Sequence, residues 1–219
     1  LKTLLPPSVA VAEAFGDPPE AVLLPAETEA IARAVDKRRR EYTTVRYCAR
    51  LALGELGLPP TAILNGSKRE PLWPAGIVGA LTHCDGYRAA AVVRASEAVT
   101  SLGIDAEPHL ALPDGVLDTI TNPEELSHLA SLTRQEPTIH WDRLLFSAKE
   151  SVYKAWFPVA RCWLGFEDAT LRFDPSDGTF AAQLHVIGPV IGAAPLTAMR
   201  GRWRVHNGLA LTAVVVPVS

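Results

Sequence analysis

Apolar residues recur at steps of three and four between Arg39 and Leu56, at Tyr42, Val45, Ala49, Ala52, Leu53 and Leu56, and Gly57 and Pro59 follow at once. That period lays one apolar stripe along a helix, and the glycine and proline end it. A second run, Asp142 to Phe157, carries Leu144, Leu145, Ala148, Val152 and Ala155 on one face, with Pro158 expected to stop the helix. Elsewhere the pattern changes to period two: Thr170 to Phe173, Thr179 to Val186, Gly201 to Val205 and Leu209 to Val216 read as strands. Tyr87 to Val93 and Val99 to Ile104 are small and β-branched, flank a polar turn at Ser96 and Glu97, and predict a β-hairpin. Residues 1–25 hold Pro6, Pro7, Pro18, Pro19 and Pro25 and predict an extended or looped segment, with a short helix from about Thr28. Residues 66–79 read as loop with short extended pieces, and residues 109–140 as short helices and loops over a site. The order of elements predicts an α+β fold with a helix and a hairpin in each half.

Composition narrows the class. With 219 residues, 48% hydrophobic and 21% charged, the chain can bury a real core, as one large domain or two small lobes. The net charge of −3, from 21 Lys and Arg against 24 Asp and Glu, gives no overall positive field for nucleic acid. A bound anion must therefore be met by a local cluster. Cys48, Cys84 and Cys162 lack metal-ligand spacing and predict no disulfide scaffold, which suits a reducing compartment. No basic-then-apolar leader precedes the first elements, and no apolar run reaches the length of about 18 residues that a membrane span needs. The expectation is a soluble, cytoplasmic protein.

The chemistry-bearing strings come next. Gly103-Ile104-Asp105-Ala106-Glu107 puts two carboxylates two residues apart at a strand end, so the pleat sends both to one face. Hard oxygen ligands with an open side for water and phosphate suit magnesium; a solvated acidic strand end satisfies the same string. In the helix, Glu150 and Lys154 stand four apart with Lys149 beside them, so a third carboxylate and two ammonium groups are expected to point the same way. An ordinary surface Glu-to-Lys helix pair has the same spacing. Arg39, Thr43, Arg46 and Arg50 form a stripe on the first helix, either a solvated face or a set of forks for phosphate oxygens. His83 is either a hydrogen-bonded structural residue or an anion ligand. Ser151-Val152-Tyr153-Lys154 is an S-x-x-K string, as in serine acyl hydrolases, but the S-D-N, K-T-G and G-x-S-x-G companions are absent, and so is a P-loop.

Together these strings resemble the Sfp-type 4′-phosphopantetheinyl transferases, most closely their actinobacterial branch. The family's G-x-D-x-E string stands at Gly103 to Glu107, and its K-E-S/A-x-x-K string, ahead of an aromatic, at Lys149 to Trp156. A serine or threonine followed by histidine stands as Thr82-His83. The resemblance runs from about Arg38 to Glu167 and implies two similar α+β lobes related by a pseudo-twofold axis, residues 1–98 and 99–219, with the active site in the cleft. It implies a magnesium-dependent transfer, with manganese as a substitute metal, of phosphopantetheine from coenzyme A, a co-substrate, to a serine of acyl or peptidyl carrier proteins of fatty-acid, polyketide or nonribosomal peptide synthesis. Asp105, Glu107 and Glu150 are implied as metal ligands, with Glu150 also as the base and Asp105 and Lys154 as further catalytic groups. Lys149 and Lys154 are implied on the pyrophosphate, and Arg46 and His83 on the 3′-phosphate, with Arg39, Lys68 and Thr82 as further coenzyme A contacts. Asn65 stands where near relatives carry a lysine, in the loop from Leu64 to Glu70. A monomer without nucleic-acid or membrane partners is expected. The rival readings are another magnesium-dependent phosphoryl-transfer or phosphodiester-cleaving enzyme, and a non-catalytic module that binds carrier protein or coenzyme A.

Overall fold

The computed structural model describes residues 1–96 and 98–218, and the chain divides into two units, Leu1–Ala95 and Ser96–Ser219. The first unit contains β1 (Ala10–Phe15), α1 (Asp36–Glu55), the short pair β2 (Leu64–Asn65) and β3 (Pro71–Leu72), β4 (Ile77–Cys84) and β5 (Tyr87–Arg94). Its main sheet is antiparallel in the order β1-β5-β4. Ala49, Ala52 and Leu53 of the expected α1 stripe, with Cys48 beside them, bury against Ala10 and Ala12 of β1 and Ala90 and Val92 of β5. Small residues on both sides let the helix lie close on the sheet, which is how a few alanines can close a core.

Three expectations change here. The 87–93 run pairs not with 99–104 but with β4, through the two-residue turn Asp85-Gly86, where Gly86 takes φ 72°. An Asp-Gly pair fits that tight connection without steric cost, so it wins over the longer polar turn. Glu97, in that expected turn, lies outside the described residues. Residues 10–15, between the prolines, form edge strand β1 on β5, because the prolines themselves fall outside the paired stretch. The short helix expected from Thr28 is instead a pair of 3-10 turns, Pro25–Glu27 and Glu29–Ile31.

The second unit contains β6 (Ser101–Pro108), α2 (Val116–Ile120), α3 (Pro123–Gln135), α4 (Trp141–Ala160), β7 (Ala169–Asp174), β8 (Thr179–Leu184), the short pair β9 (Val190–Ile191) and β10 (Ala194–Pro195), β11 (Ala198–His206) and β12 (Leu209–Val216). Five strands form an antiparallel sheet in the order β6-β12-β11-β8-β7. Trp141, Leu144, Leu145, Val152 and Trp156 of α4 bury in one core with Leu171, Phe173, Phe180, Ala210 and Val214. The helix does not stop at Pro158: it runs to Ala160 and is capped by Arg161 in the left-handed region, φ 55°. A proline in the last turn forfeits one backbone hydrogen bond, and the buried aromatic face of α4 outweighs that loss. Among the described residues no helix is long and apolar enough to cross a membrane. The mixed α and β content agrees with the expected α+β class.

Candidate active site

The site begins with a missing side chain. A Cβ on Gly103 would lie 1.9 Å from the Ser151 carbonyl oxygen and 2.7 Å from the Ala155 nitrogen, so only glycine lets β6 press against α4. Ser101 Oγ then donates to the Ala155 carbonyl at 2.7 Å. With strand and helix in backbone contact, the next residues on that face of β6, Asp105 and Glu107, meet side chains from α4. Lys154 Nζ donates to Asp105 Oδ1 at 2.6 Å and to the Ile104 carbonyl at 3.2 Å. Arg143 donates to Glu107 Oε2 at 3.0 Å. The Asp105 side chain is 6% exposed and that of Lys154 26%, which makes this a largely desolvated ion pair.

Negative charge is concentrated here at a cost. Burial pushes the Glu107 carboxyl up to about 6, and the Asp105 charge adds to the rise against the pull of Arg143 and Lys154. Glu150 is half-buried, and its carboxyl is also raised, first by burial and then by Asp105, while Lys154 opposes. Asp105, Glu107, Glu150 and Lys154 therefore share one electrostatic neighbourhood.

The carboxylate set fits a hard divalent cation. Among the described residues no three His, Cys, Asp or Glu groups are already gathered into a ligating cluster. Magnesium, however, is commonly held by one or two carboxylates completed by water and substrate phosphate. Glu107 and Glu150, each raised first by burial and further by the Asp105 charge, are groups whose ionisation such a cation favours.

Lys149 requires a correction. It does not point with Glu150 and Lys154; its Nζ donates to Glu125 at 3.0 Å, to the Phe166 carbonyl at 2.6 Å and to the Ala169 carbonyl at 3.1 Å. Those bonds match the three donors of an ammonium group, and the residue is 5% exposed. Burial holds its pKa below the usual lysine value, with Glu125 opposing. The partner is fixed in turn: Glu125 is fully buried, accepts from Asn122 N and Leu171 N, and closes the α3 capping box. Lys149 is thus a strut between α4, α3 and the start of β7. Next to it, Glu150, Tyr153, Trp163, Leu164 and Phe166 line a cavity of about 120 Å³, with the Tyr153 and Trp163 rings 4.9 Å apart.

Ser151 is fully buried and donates to the Ala148 carbonyl at 2.8 Å. A hydroxyl held within its own helix offers no nucleophile, which removes the S-x-x-K hydrolase reading.

The remaining candidates lie in the first unit, and most of the arginine stripe is structural. Arg46 is 4% exposed, donates to the Ile63 carbonyl at 2.8 Å and to Asn65 Oδ1 at 2.5 Å, and stacks 4.0 Å over the Tyr42 ring. Burial lowers its pKa. A lysine at position 65 could not accept that bond, so Asn65 is matched to Arg46. Arg50 pairs with the fully buried Glu27 at 2.8 Å, and Arg39 donates to the Ala34 and Ala32 carbonyls. The pleat of β4 buries Thr82 and turns His83 outward, where His83 Nε2 lies 2.9 Å from Arg38 and 3.4 Å from Glu41. Lys68 is exposed in the loop that Glu70 holds through the Lys68 amide.

Sequence reasoning missed Arg143, Glu125 and Arg38. Arg143 was detectable as the member of the series 143, 147, 150, 154 one helical face shares. Glu125 was detectable from the Asn122-Pro123-Glu124-Glu125 capping signature.

Comparison with known proteins bears on the same two segments. Residues 26–93 match the model of the 4′-phosphopantetheinyl transferase N-terminal domain, and residues 101–194 that of the 4′-phosphopantetheinyl transferase superfamily. The chain is 53% identical over 213 residues to the 4′-phosphopantetheinyl transferase PptT of Mycobacterium tuberculosis, covering 95% of this chain and 92% of the relative. It is 51% identical to Svp of Streptomyces mobaraensis, covering 99% and 89%. It is 47% identical to Npt of Nocardia iowensis, covering 98% of each. Both are also named 4′-phosphopantetheinyl transferases.

Proposed function

The chain belongs to the 4′-phosphopantetheinyl transferase superfamily, and from that premise we propose that it moves the phosphopantetheine arm of coenzyme A to a serine of acyl or peptidyl carrier proteins. The observation that carries this reading is the meeting of Asp105, Glu107, Glu150 and Lys154 across β6 and α4.

In the reaction, the serine oxygen attacks the phosphorus that bears pantetheine. The bond from that phosphorus to the bridging pyrophosphate oxygen breaks, and 3′,5′-adenosine bisphosphate leaves with the electron pair. Glu150 accepts the serine proton at its carboxylate, which lies beside Asp105 and Lys154. Lys154, held against Asp105, places positive charge where the leaving pyrophosphate oxygens become more negative. Asp105, Glu107 and Glu150 would hold magnesium, or manganese in its place, which supplies charge neutralisation of the pyrophosphate. For the rest, the chain's contribution is positioning and electrostatics, as in other phosphoryl transfers.

His83, with Arg38 beside it, is a first-unit candidate for the 3′-phosphate whose side chain is partly open to solvent, as is that of exposed Lys68. Arg46 supports the fold of that unit through Ile63 and Asn65. The pseudo-twofold pairing of two similar lobes, divided at residues 98 and 99, belongs to the same proposal, as do a monomeric state and a cytoplasmic location.

The test is the release of 3′,5′-adenosine bisphosphate from coenzyme A with and without apo carrier protein. Release that requires the acceptor supports the transfer. Release at the same rate without it identifies a phosphodiester-cleaving enzyme, and binding without release identifies a non-catalytic module.

A further inference from the structure

The first turn of α4 grips a single short segment. Arg143 donates through one terminal nitrogen to Glu107 Oε2 at 3.0 Å, through Nε to the Leu110 carbonyl at 3.0 Å, and through its other terminal nitrogen to the Ala111 carbonyl at 2.9 Å. Its neighbours hold the same stretch: Asp142 Oδ2 accepts from Leu112 N at 2.7 Å, and His140 N donates to His109 Nε2 at 2.9 Å. The Arg143 side chain is only 15% exposed and that of Glu107 21%, so this is not a loose surface pair. A planar guanidinium with donors at fixed angles, its other bonds anchored to backbone, sets where the carboxylate lies and how it is turned.

We propose that Arg143 is a positioning residue for Glu107: by holding Oε2 against an anchored guanidinium, it orients the carboxylate so that Oε1 is presented to a divalent cation. The inference rests on the metal-ligand reading of Glu107 given above. Two effects oppose each other. The arginine charge repels a cation at the same carboxylate, while the hydrogen bond removes the rotational freedom that a glutamate otherwise loses on ligation. Carboxylate ligands deprived of an outer hydrogen-bond partner typically lose about 10- to 100-fold in metal affinity, so orientation outweighs repulsion.

The experiment is Mn²⁺ binding to the full chain in the presence of coenzyme A, followed by the electron paramagnetic resonance signal of free Mn²⁺. Arg143→Met raises the Kd by about 10- to 100-fold, and Arg143→Lys, which keeps the charge but loses the fork, raises it less. In the Glu107→Gln background, Arg143→Met adds no further loss, because the arginine acts through Glu107. Thermal melts establish that each variant is folded, and if Arg143→Met does not fold, Arg143→Lys carries the same comparison. Unchanged or tighter Mn²⁺ binding in the folded variant overturns the inference. So does an equal loss in the Glu107→Gln background, which marks a merely structural arginine. A wild-type chain that binds no Mn²⁺ with coenzyme A overturns the metal reading itself, a result distinct from either.

Discussion

Lys154 Nζ stands 2.6 Å from Asp105 Oδ1 and also holds the Ile104 carbonyl, so one lysine fastens α4 to the strand that carries two of the three site acids. Asp105→Ala removes a member of the acid set and leaves the core intact. Transfer to carrier protein falls by about 100- to 1,000-fold, as when other preorganised electrostatic groups are deleted, and circular dichroism remains that of the wild type. Lys154→Met gives a comparable loss of kcat and lowers stability as well, by about 1–3 kcal/mol in urea denaturation, because a mostly buried carboxylate loses its hydrogen-bonded partner. A folded Asp105→Ala protein with full activity removes Asp105 from the mechanism.

Gly103 controls the same contact from below. In Gly103→Ala the added methyl would stand 1.9 Å from the Ser151 carbonyl, so α4 must move away from β6. Overpacking of this kind costs about 1–3 kcal/mol or more, and here the shift also separates Lys154 from Asp105. The expected result is a lower melting temperature together with a lower kcat. Wild-type stability in this variant contradicts the close approach.

The helices and the metal-side acids were legible in the sequence because each rests on local spacing. The α1 stripe, the α4 face and the same-face placement of Asp105 and Glu107 follow from periods of 3.6 and 2 that no distant residue alters. What could not be read was partner choice. Nothing local says that β6 pairs with β12, about a hundred residues on, rather than with β5. Nor does spacing say which of the two lysines of α4 turns inward: Lys149 does because buried Glu125, from another helix, pairs with it. It does not say either that Glu27, Ile63 and Asn65, from a short turn, the residue before β2 and the two-residue strand β2 itself, engage Arg50 and Arg46.

Metal-free stability carries a pH signature from Glu107. Its pKa is about 6 in the folded protein, above the ordinary glutamate value of 4.5, so the folded state binds that proton more tightly than the unfolded chain. The resulting stability is fully present below the unfolded value and is lost as pH rises through about 6. Glu107→Gln cannot ionise, so its stability relative to wild type, measured by urea denaturation in EDTA, increases between pH 4.5 and 7 and then levels off. The gain across this range is about 2 kcal/mol, the equivalent of the rise from 4.5 to about 6, while the weaker bond of Arg143 to an amide adds only a pH-independent offset. A difference that stays constant across this range contradicts the assignment.

Arg46 and His83 are separated by donor choice. Arg46→Ala removes bonds to Ile63 and Asn65 and is expected to slow transfer from coenzyme A and from dephospho-coenzyme A by the same factor, through lost stability. His83→Ala weakens coenzyme A use by about 10-fold or more, mainly in KM, and leaves dephospho-coenzyme A unchanged, because a charge-assisted bond to phosphate contributes about 1.5–3 kcal/mol. Arg46→Ala affecting coenzyme A alone would return that residue to the phosphate site.

The account is tested most directly by intact-protein mass spectrometry of an apo carrier protein incubated with coenzyme A, magnesium and this chain. The predicted result is a mass increase of one phosphopantetheine on the acceptor with the wild type, and formation of that product about 100- to 1,000-fold more slowly with Asp105→Ala under the same conditions. An acceptor that stays at its apo mass across a panel of acyl and peptidyl carrier proteins, while the wild-type chain is folded and coenzyme A is present in excess, contradicts it.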